Sequence, residues 1–281
     1  MTRQPLYVDA IPVACADHGA GDVCVLVHGA GANRGYWRSL ADSLGAVRTL
    51  RPDLYGHGDT PAWPAERVGR DYGYGDDATM LEHQLADCVA PVHLVGHSSG
   101  GAVCLEFARR HPTRVARLVV AEPMLPTRLA GAFPGEFAEI AAAYDRADAA
   151  VRGGAAAAAA QILFEYILGD GEWQRLGAGT RAWLTANAER SLVAHSRASL
   201  ALAVTADRYA GVACPVLVLC GAATRAPFRR ICELLAADLP DARLLVIADA
   251  SHNAPLSHAA AVEAAIGRFL RAADGEGAAR R

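Results

Sequence analysis

Residues 92–101 read Val92-His93-Leu94-Val95-Gly96-His97-Ser98-Ser99-Gly100-Gly101. A short apolar run stops at a glycine, and within three residues an amphipathic stretch begins that continues to His111, where Pro112 bars further helix. A strand that turns into a helix over so few residues needs a sharp bend, and a serine stands at the bend. Side chains two residues before and two after the apex of such a bend collide, so both places call for glycine. Centred on Ser98 those places are Gly96 and Gly100, whereas centred on Ser99 one of them is His97. Ser98 is therefore the residue the turn presents. The G-x-S-x-G pattern is weak evidence alone, and its strand–turn–helix setting is what gives it weight.

Working outward, similar apolar runs lie at 23–27, 47–50, 115–121, 216–220 and 244–247. They lack the polar alternation of a half-exposed strand, which suggests strands covered on both faces of a parallel sheet. Helical stretches at 36–44, 76–88, 228–239 and 258–273 separate them. The alternation predicts an α/β fold, a doubly wound and mostly parallel sheet, with its site beyond the carboxyl ends of the strands. From 126 to 209 there is no strand signal, only Ala-rich helical material that includes the run 155–160. The chain divides accordingly into a core, 1–125 and 210–281, and a helical cap inserted at 126–209. The Gly/Ala/Arg tail from Asp274 is expected to fray.

Composition limits the function classes. Apolar residues make up 52% of the 281, enough for one large core carrying an insertion. A net charge of −3 offers nothing to nucleic acid or to an anionic membrane, so neither is expected as a partner. Seven cysteines without a CxxC pair fit neither a disulfide framework nor a zinc site. No basic leader followed by an apolar stretch opens the chain, and no run reaches the ~20 residues of a membrane span. The expectation is a cytoplasmic protein that uses no metal and no cofactor.

A serine hydroxyl attacks poorly unless a base takes its proton, and the base needs an acid to orient it. His252, after the last strand, is the candidate base; its competitor His258 falls inside the final helix. His18, His83, His111, His195 and His258 read as solvated surface positions. Charge developing on an attacked carbonyl oxygen needs preorganised donors. The small-residue loop His28-Gly29-Ala30-Gly31, at the end of the 23–27 strand, offers the N–H of Ala30 for one, and the N–H of Ser99 serves as the other.

In this order, His28-Gly29, Asp53-Leu54-Tyr55-Gly56-His57-Gly58-Asp59-Thr60, Gly96-His97-Ser98-Ser99-Gly100 and Ser251-His252 resemble the α/β-hydrolase superfamily over nearly the whole chain. By this resemblance Asp53, Gly56 and Gly58 are architectural, and the insertion shapes a substrate pocket. The acid departs from the common pattern. Where many members carry Asp in a G-x-x-D turn, this chain has Gly221-Ala222-Ala223-Thr224. Thr224 could hold the imidazole by a neutral hydrogen bond but could not stabilise an imidazolium. Some members place the acid one strand after the nucleophile strand, where this chain has Glu122-Pro123, and Glu122 is assigned on that likeness. The resemblance implies a cofactor-free serine hydrolase acting on a small ester, thioester or related acyl substrate with apolar bulk. Carbon–carbon bond hydrolysis, perhydrolysis and a non-catalytic ligand receptor are the alternatives on the same fold.

Overall fold

The computed structural model describes residues 6–8 and 11–272; the expected fraying of the tail from Asp274 falls outside them. Strands β1 (Leu6–Val8) and β2 (Ile11–Val13) pair as a small antiparallel ribbon. The main sheet holds β3 (Cys15–His18), β4 (Asp22–Val27), β5 (Val47–Pro52), β6 (Val92–His97), β7 (Val115–Ala121), β8 (Val216–Gly221) and β9 (Ala242–Ile247). Its order is β3-β5-β4-β6-β7-β8-β9, parallel throughout except where β3 meets β5.

The sheet is covered on both faces because each central strand sends alternate side chains to two separate cores. Val25, Val27, Leu94, Leu118, Val120 and Val218 join one cluster, with Val103 and Phe107 of helix Ser99–Arg110 and Ile231 and Leu235 of helix Ala226–Asp238. Cys24, Leu26, Val95, Val119, Leu217 and Leu219 join the other, with Leu40 of helix Arg38–Ser43 and Val262, Ile266 and Phe269 of helix Ala259–Arg271. Period-two alternation directs the two sets to opposite faces. The cysteines sit in this framework as free thiols, five of them buried.

Two features of the sheet differ from the sequence reading. Strands β1 to β3 carry no legible apolar run. β3 is Cys-Ala-Asp-His, and it holds its place through backbone pairing with β5 and a two-pronged clasp of Asp17 by Arg48 at 2.9 and 2.7 Å. Conversely, the apolar run in β9 is not covered on both faces: Leu244, Leu245 and Val246 are 36–45% exposed, because β9 is the edge strand.

The loop after β5 is built as the motif there implies. The buried Asp53 carboxylate accepts the N–H of Arg34 at 2.6 Å and of Asp59 at 3.0 Å, and pairs with the Arg34 guanidinium. A side chain at Gly58 would strike that carboxylate. Between β7 and β8 the chain is helical, as helices Pro134–Arg152, Ala156–Leu168, Glu172–Arg175, Ala178–Ala186 and Ala194–Ala201 with a π-helical stretch Ala188–Val193. Arg128 fastens this segment to the core by gripping Asp238 at 2.5 and 3.0 Å.

Candidate active site

Ser98 follows β6 directly with φ 54° and ψ −122°, a conformation L-residues rarely adopt. The tightness of the turn explains it. A Cβ at Gly96 would collide with the backbone of Gly100, and a Cβ at Gly100 with the carbonyl oxygens of Val27 and His28. The turn is tied down by Ser98 N–H to the Ala121 carbonyl at 2.9 Å and by Met124 N–H to the Ser98 carbonyl at 3.1 Å. The hydroxyl therefore stands at the carboxyl edge of the sheet, on a backbone that cannot relax without breaking these contacts.

Glu122 directly follows β7 and His252 lies in the loop five residues beyond β9, and the fold brings them together. Glu122 Oε2 lies 2.7 Å from His252 Nδ1, with both side chains 3% exposed. The same carboxylate accepts the Gly221 N–H at 2.7 Å and the Thr224 hydroxyl at 2.8 Å. Burial alone would push its pKa up, and the bonds from His252, Gly221 and Thr224 outweigh that, leaving Glu122 below its ordinary value. Thr224 thus meets the carboxylate and not the imidazole. The turn that lacks an acid supplies two donors to the acid on the neighbouring strand.

The His252 ring packs between His97, with centroids 4.8 Å apart, and Phe228 at 5.1 Å. His97 Nε2–H donates to the His252 carbonyl at 2.9 Å, and the ring of Tyr36 stacks on His97 at 5.2 Å while its hydroxyl donates to Asn253 at 2.9 Å. Burial pushes His97 down to about 3, so it stays neutral and its free nitrogen needs no counter-charge. Nothing in the sequence pattern marked Tyr36, His97 or Phe228, since they lie in a loop, at an unconstrained motif position and in an ordinary helix.

The loop after β4 runs along this turn. A Cβ at Gly29 would lie 3.0 Å from the Ser98 Cβ. Among the described residues no acceptor takes the N–H of Ala30 or of Ser99. One residue expected at the surface is interior, and so is a histidine of the loop after β5. His195 is 1% exposed, not a solvated histidine, because helix Ala194–Ala201 packs onto the loop that holds Tyr55 and His57. His57 itself is fully buried and accepts the N–H of Gly31 at 3.0 Å. His258 caps the last helix and bonds Ser257 at the surface.

A sharp serine turn, a buried carboxylate–imidazole pair and two free backbone N–H groups meet at the carboxyl edge of a doubly wound sheet, which is the architecture of the α/β-hydrolases. Residues 24–265 match the family described as the alpha/beta hydrolase family, and the chain belongs to it and is a hydrolase. A pimeloyl-[acyl-carrier protein] methyl ester esterase of Aromatoleum aromaticum is 34% identical over 247 residues, 83% of this chain and 92% of that one. Among solved structures, a thermophilic esterase from Thermogutta terrifontis superposes with a TM-score of 0.73 at 23% identity over 93% of both chains. An enol-lactonase from Burkholderia xenovorans does so with 0.75 at 19% identity, covering 96% of this chain and 100% of that one. Both likenesses are of fold. No helix among the described residues is long and apolar enough to cross a membrane.

Proposed function

We propose that this hydrolase cleaves esters, thioesters or related acyl compounds through an acyl-enzyme on Ser98. The observation that carries the reading is the buried Glu122–His252 pair at 2.7 Å beside a serine held at φ 54°. His252 takes the Ser98 proton as the hydroxyl adds to the carbonyl and returns it to the leaving group; water then repeats the sequence on the acyl-enzyme. Glu122, held ionised by three donors, fixes which imidazole nitrogen faces the serine and stabilises the imidazolium. The N–H groups of Ala30 and Ser99 receive the oxyanion. That the full-length curated relative is a methyl ester esterase supports an ester as substrate.

Residues 126–209 act in this reading as a cap over the site. Leu184 and Leu192 approach Gly31 in the loop after β4, and Tyr166 packs at 5.9 Å on Phe228, which lines the base. These apolar side chains favour a substrate with apolar bulk near the scissile bond. Ser98→Ala is expected to abolish hydrolysis of a short chromogenic ester while leaving the melting temperature within a few degrees. A variant that keeps full activity would remove Ser98 from the mechanism.

A further inference from the structure

The N–H of Ala30 belongs to the Gly29–Ala30 peptide, and that peptide and the next one, Ala30–Gly31, are each held by an imidazole. The Gly29 carbonyl accepts from His28 Nδ1–H at 2.8 Å, and Leu54 N–H donates to His28 Nε2 at 3.2 Å. Because a trans peptide points its C=O and N–H in opposite directions, fixing the Gly29 carbonyl aims the Ala30 N–H. That contact is local. The second comes from a different loop: Gly31 N–H donates to His57 Nε2 at 3.0 Å, across 26 residues of sequence.

The proton count on His57 is settled by its partners. Nδ1–H donates to the Tyr55 carbonyl at 3.0 Å, so Nε2 carries the lone pair that Gly31 needs. An imidazolium could not accept that bond, and burial pushes His57 down to about 3, which keeps the acceptor intact through neutral pH. The Tyr55 carbonyl is shared. His195, from helix Ala194–Ala201 of the insertion, donates to it from Nε2 at 3.2 Å and meets the His57 ring edge-on, with centroids 4.6 Å apart at 86°. Tyr72 approaches His195 Nδ1 at 3.3 Å, Tyr74 donates to the His195 carbonyl at 3.2 Å, and Asp77 accepts the Tyr55 N–H at 3.0 Å and bonds the Tyr72 hydroxyl. The insertion also presses on the same loops directly. A Cβ at Gly31 would lie 2.9 Å from Leu192, and one at Gly56 would strike the Arg190 carbonyl.

We infer that His57, seated by His195 of the helical insertion, is a positioning residue for the Ala30 oxyanion donor, so that the placement of the insertion is felt in the chemical step. This rests on the acyl-enzyme reading above, and it adds a physical link that neither loop shows alone. Without the His57 acceptor, Gly31 N–H loses its partner in a half-buried loop, and the Ala30–Gly31 peptide can turn to find another. Because the two peptides share the Ala30 Cα, that turn shifts the Gly29–Ala30 peptide that carries the donor just where the transition-state charge forms, and misplacements of this order cost a tenfold loss or more.

The test compares His57→Phe, His57→Asn, His57→Gln and His195→Phe with Ser98→Ala on a chromogenic ester, with folding checked by thermal melts. His57→Phe removes the acceptor at similar size, and His57→Asn keeps a donor for Tyr55 but falls short of Gly31; if the first does not fold, the second carries the comparison. Both are expected to lower kcat at least tenfold with KM within about twofold. A trifluoromethyl ketone, whose Ser98 hemiketal places its oxyanion on the same donors, should lose affinity by a matching factor. His57→Gln can accept from Gly31 through its amide oxygen and should restore most of kcat. His195→Phe should lower kcat severalfold and add nothing in the His57→Phe background. Unchanged kcat, unchanged ketone affinity, no rescue by glutamine, or additive effects of His57 and His195 would each overturn the inference. An active Ser98→Ala would instead overturn the acyl-enzyme reading, and an inactive one beside a normal His57→Phe would sink the inference alone.

Discussion

Ser98, Glu122 and Asp249 are the non-glycine residues with positive φ among the described residues, at 54°, 43° and 56°. Each follows the end of a main-sheet strand, and each belongs to or leads into the candidate site. Backbone held in such regions costs on the order of 1–3 kcal/mol per residue and persists only where the surroundings over-determine it. For Glu122 the surroundings are three donors converging on one carboxylate. Glu122→Gln cannot satisfy them. Whichever way the amide is turned, its NH2 opposes the N–H of either Gly221 or His252. The expected outcome is a fall in kcat of about 10²–10⁴ together with a destabilisation of roughly 1–3 kcal/mol, read from steady-state kinetics and chemical denaturation. Thr224→Val removes one donor of three and should cost only severalfold in kcat; a loss as large as that of Glu122→Gln would mean that Thr224 acts on His252 itself.

At the scale of elements, the turn between β6 and helix Ser99–Arg110 was legible because steric exclusion leaves its mark in residue type. Gly96 and Gly100 stand where a Cβ meets backbone, and backbone cannot move aside. Gly100→Ala is therefore expected to destabilise by about 3 kcal/mol or to prevent folding, whereas Gly135→Ala, in a helix where a Cβ meets nothing within 4 Å, should leave the thermal midpoint unchanged or raise it slightly. β3 left no comparable trace. Its hold is main-chain pairing with β5 plus the Arg48–Asp17 clasp; main-chain bonds are blind to side-chain identity, and one ion pair leaves no period in the sequence. Helix Ala194–Ala201 shows the same limit from the other side. A histidine in an Ala-rich helix looks like a solvated residue until the helix is docked, and only docking placed His195 against His57 and Tyr55.

For the whole molecule, the buried imidazoles set a pH dependence. Burial pushes His28 to about 4, His57 and His97 to about 3, and His195 well below 6.5. In the unfolded chain these groups bind protons near pH 6.5, and in the folded one they do not until far lower. Their contribution is thus fully present above pH 6.5 and is lost as pH falls toward 3–4. The lowered Glu122, Glu106 and Glu82 act in the same sense once pH passes below the usual carboxylate range. Asp77 acts in the opposite sense, being pushed by burial up to about 7, so its share of stability declines as pH rises from about 4 to 7. Four groups against one give the sign. The thermal midpoint should drop steadily between pH 6.5 and 4.5, and a midpoint that holds level or climbs over that range would contradict the burial of these histidines.

What the sequence by itself determined is the alternation that makes a parallel doubly wound sheet, the serine at the turn, the position of His252 after the last strand, and membership of a family of hydrolases. These are local or periodic properties, written in glycine placement and apolar spacing. The tertiary structure alone decided which groups meet. It placed a carboxylate from β7 against an imidazole beyond β9, turned Thr224 onto that carboxylate, and set His195 on His57. Such contacts join residues that are 102 to 138 positions apart and leave no period in the chain, because a hydrogen bond across the fold asks only for two atoms at the right distance.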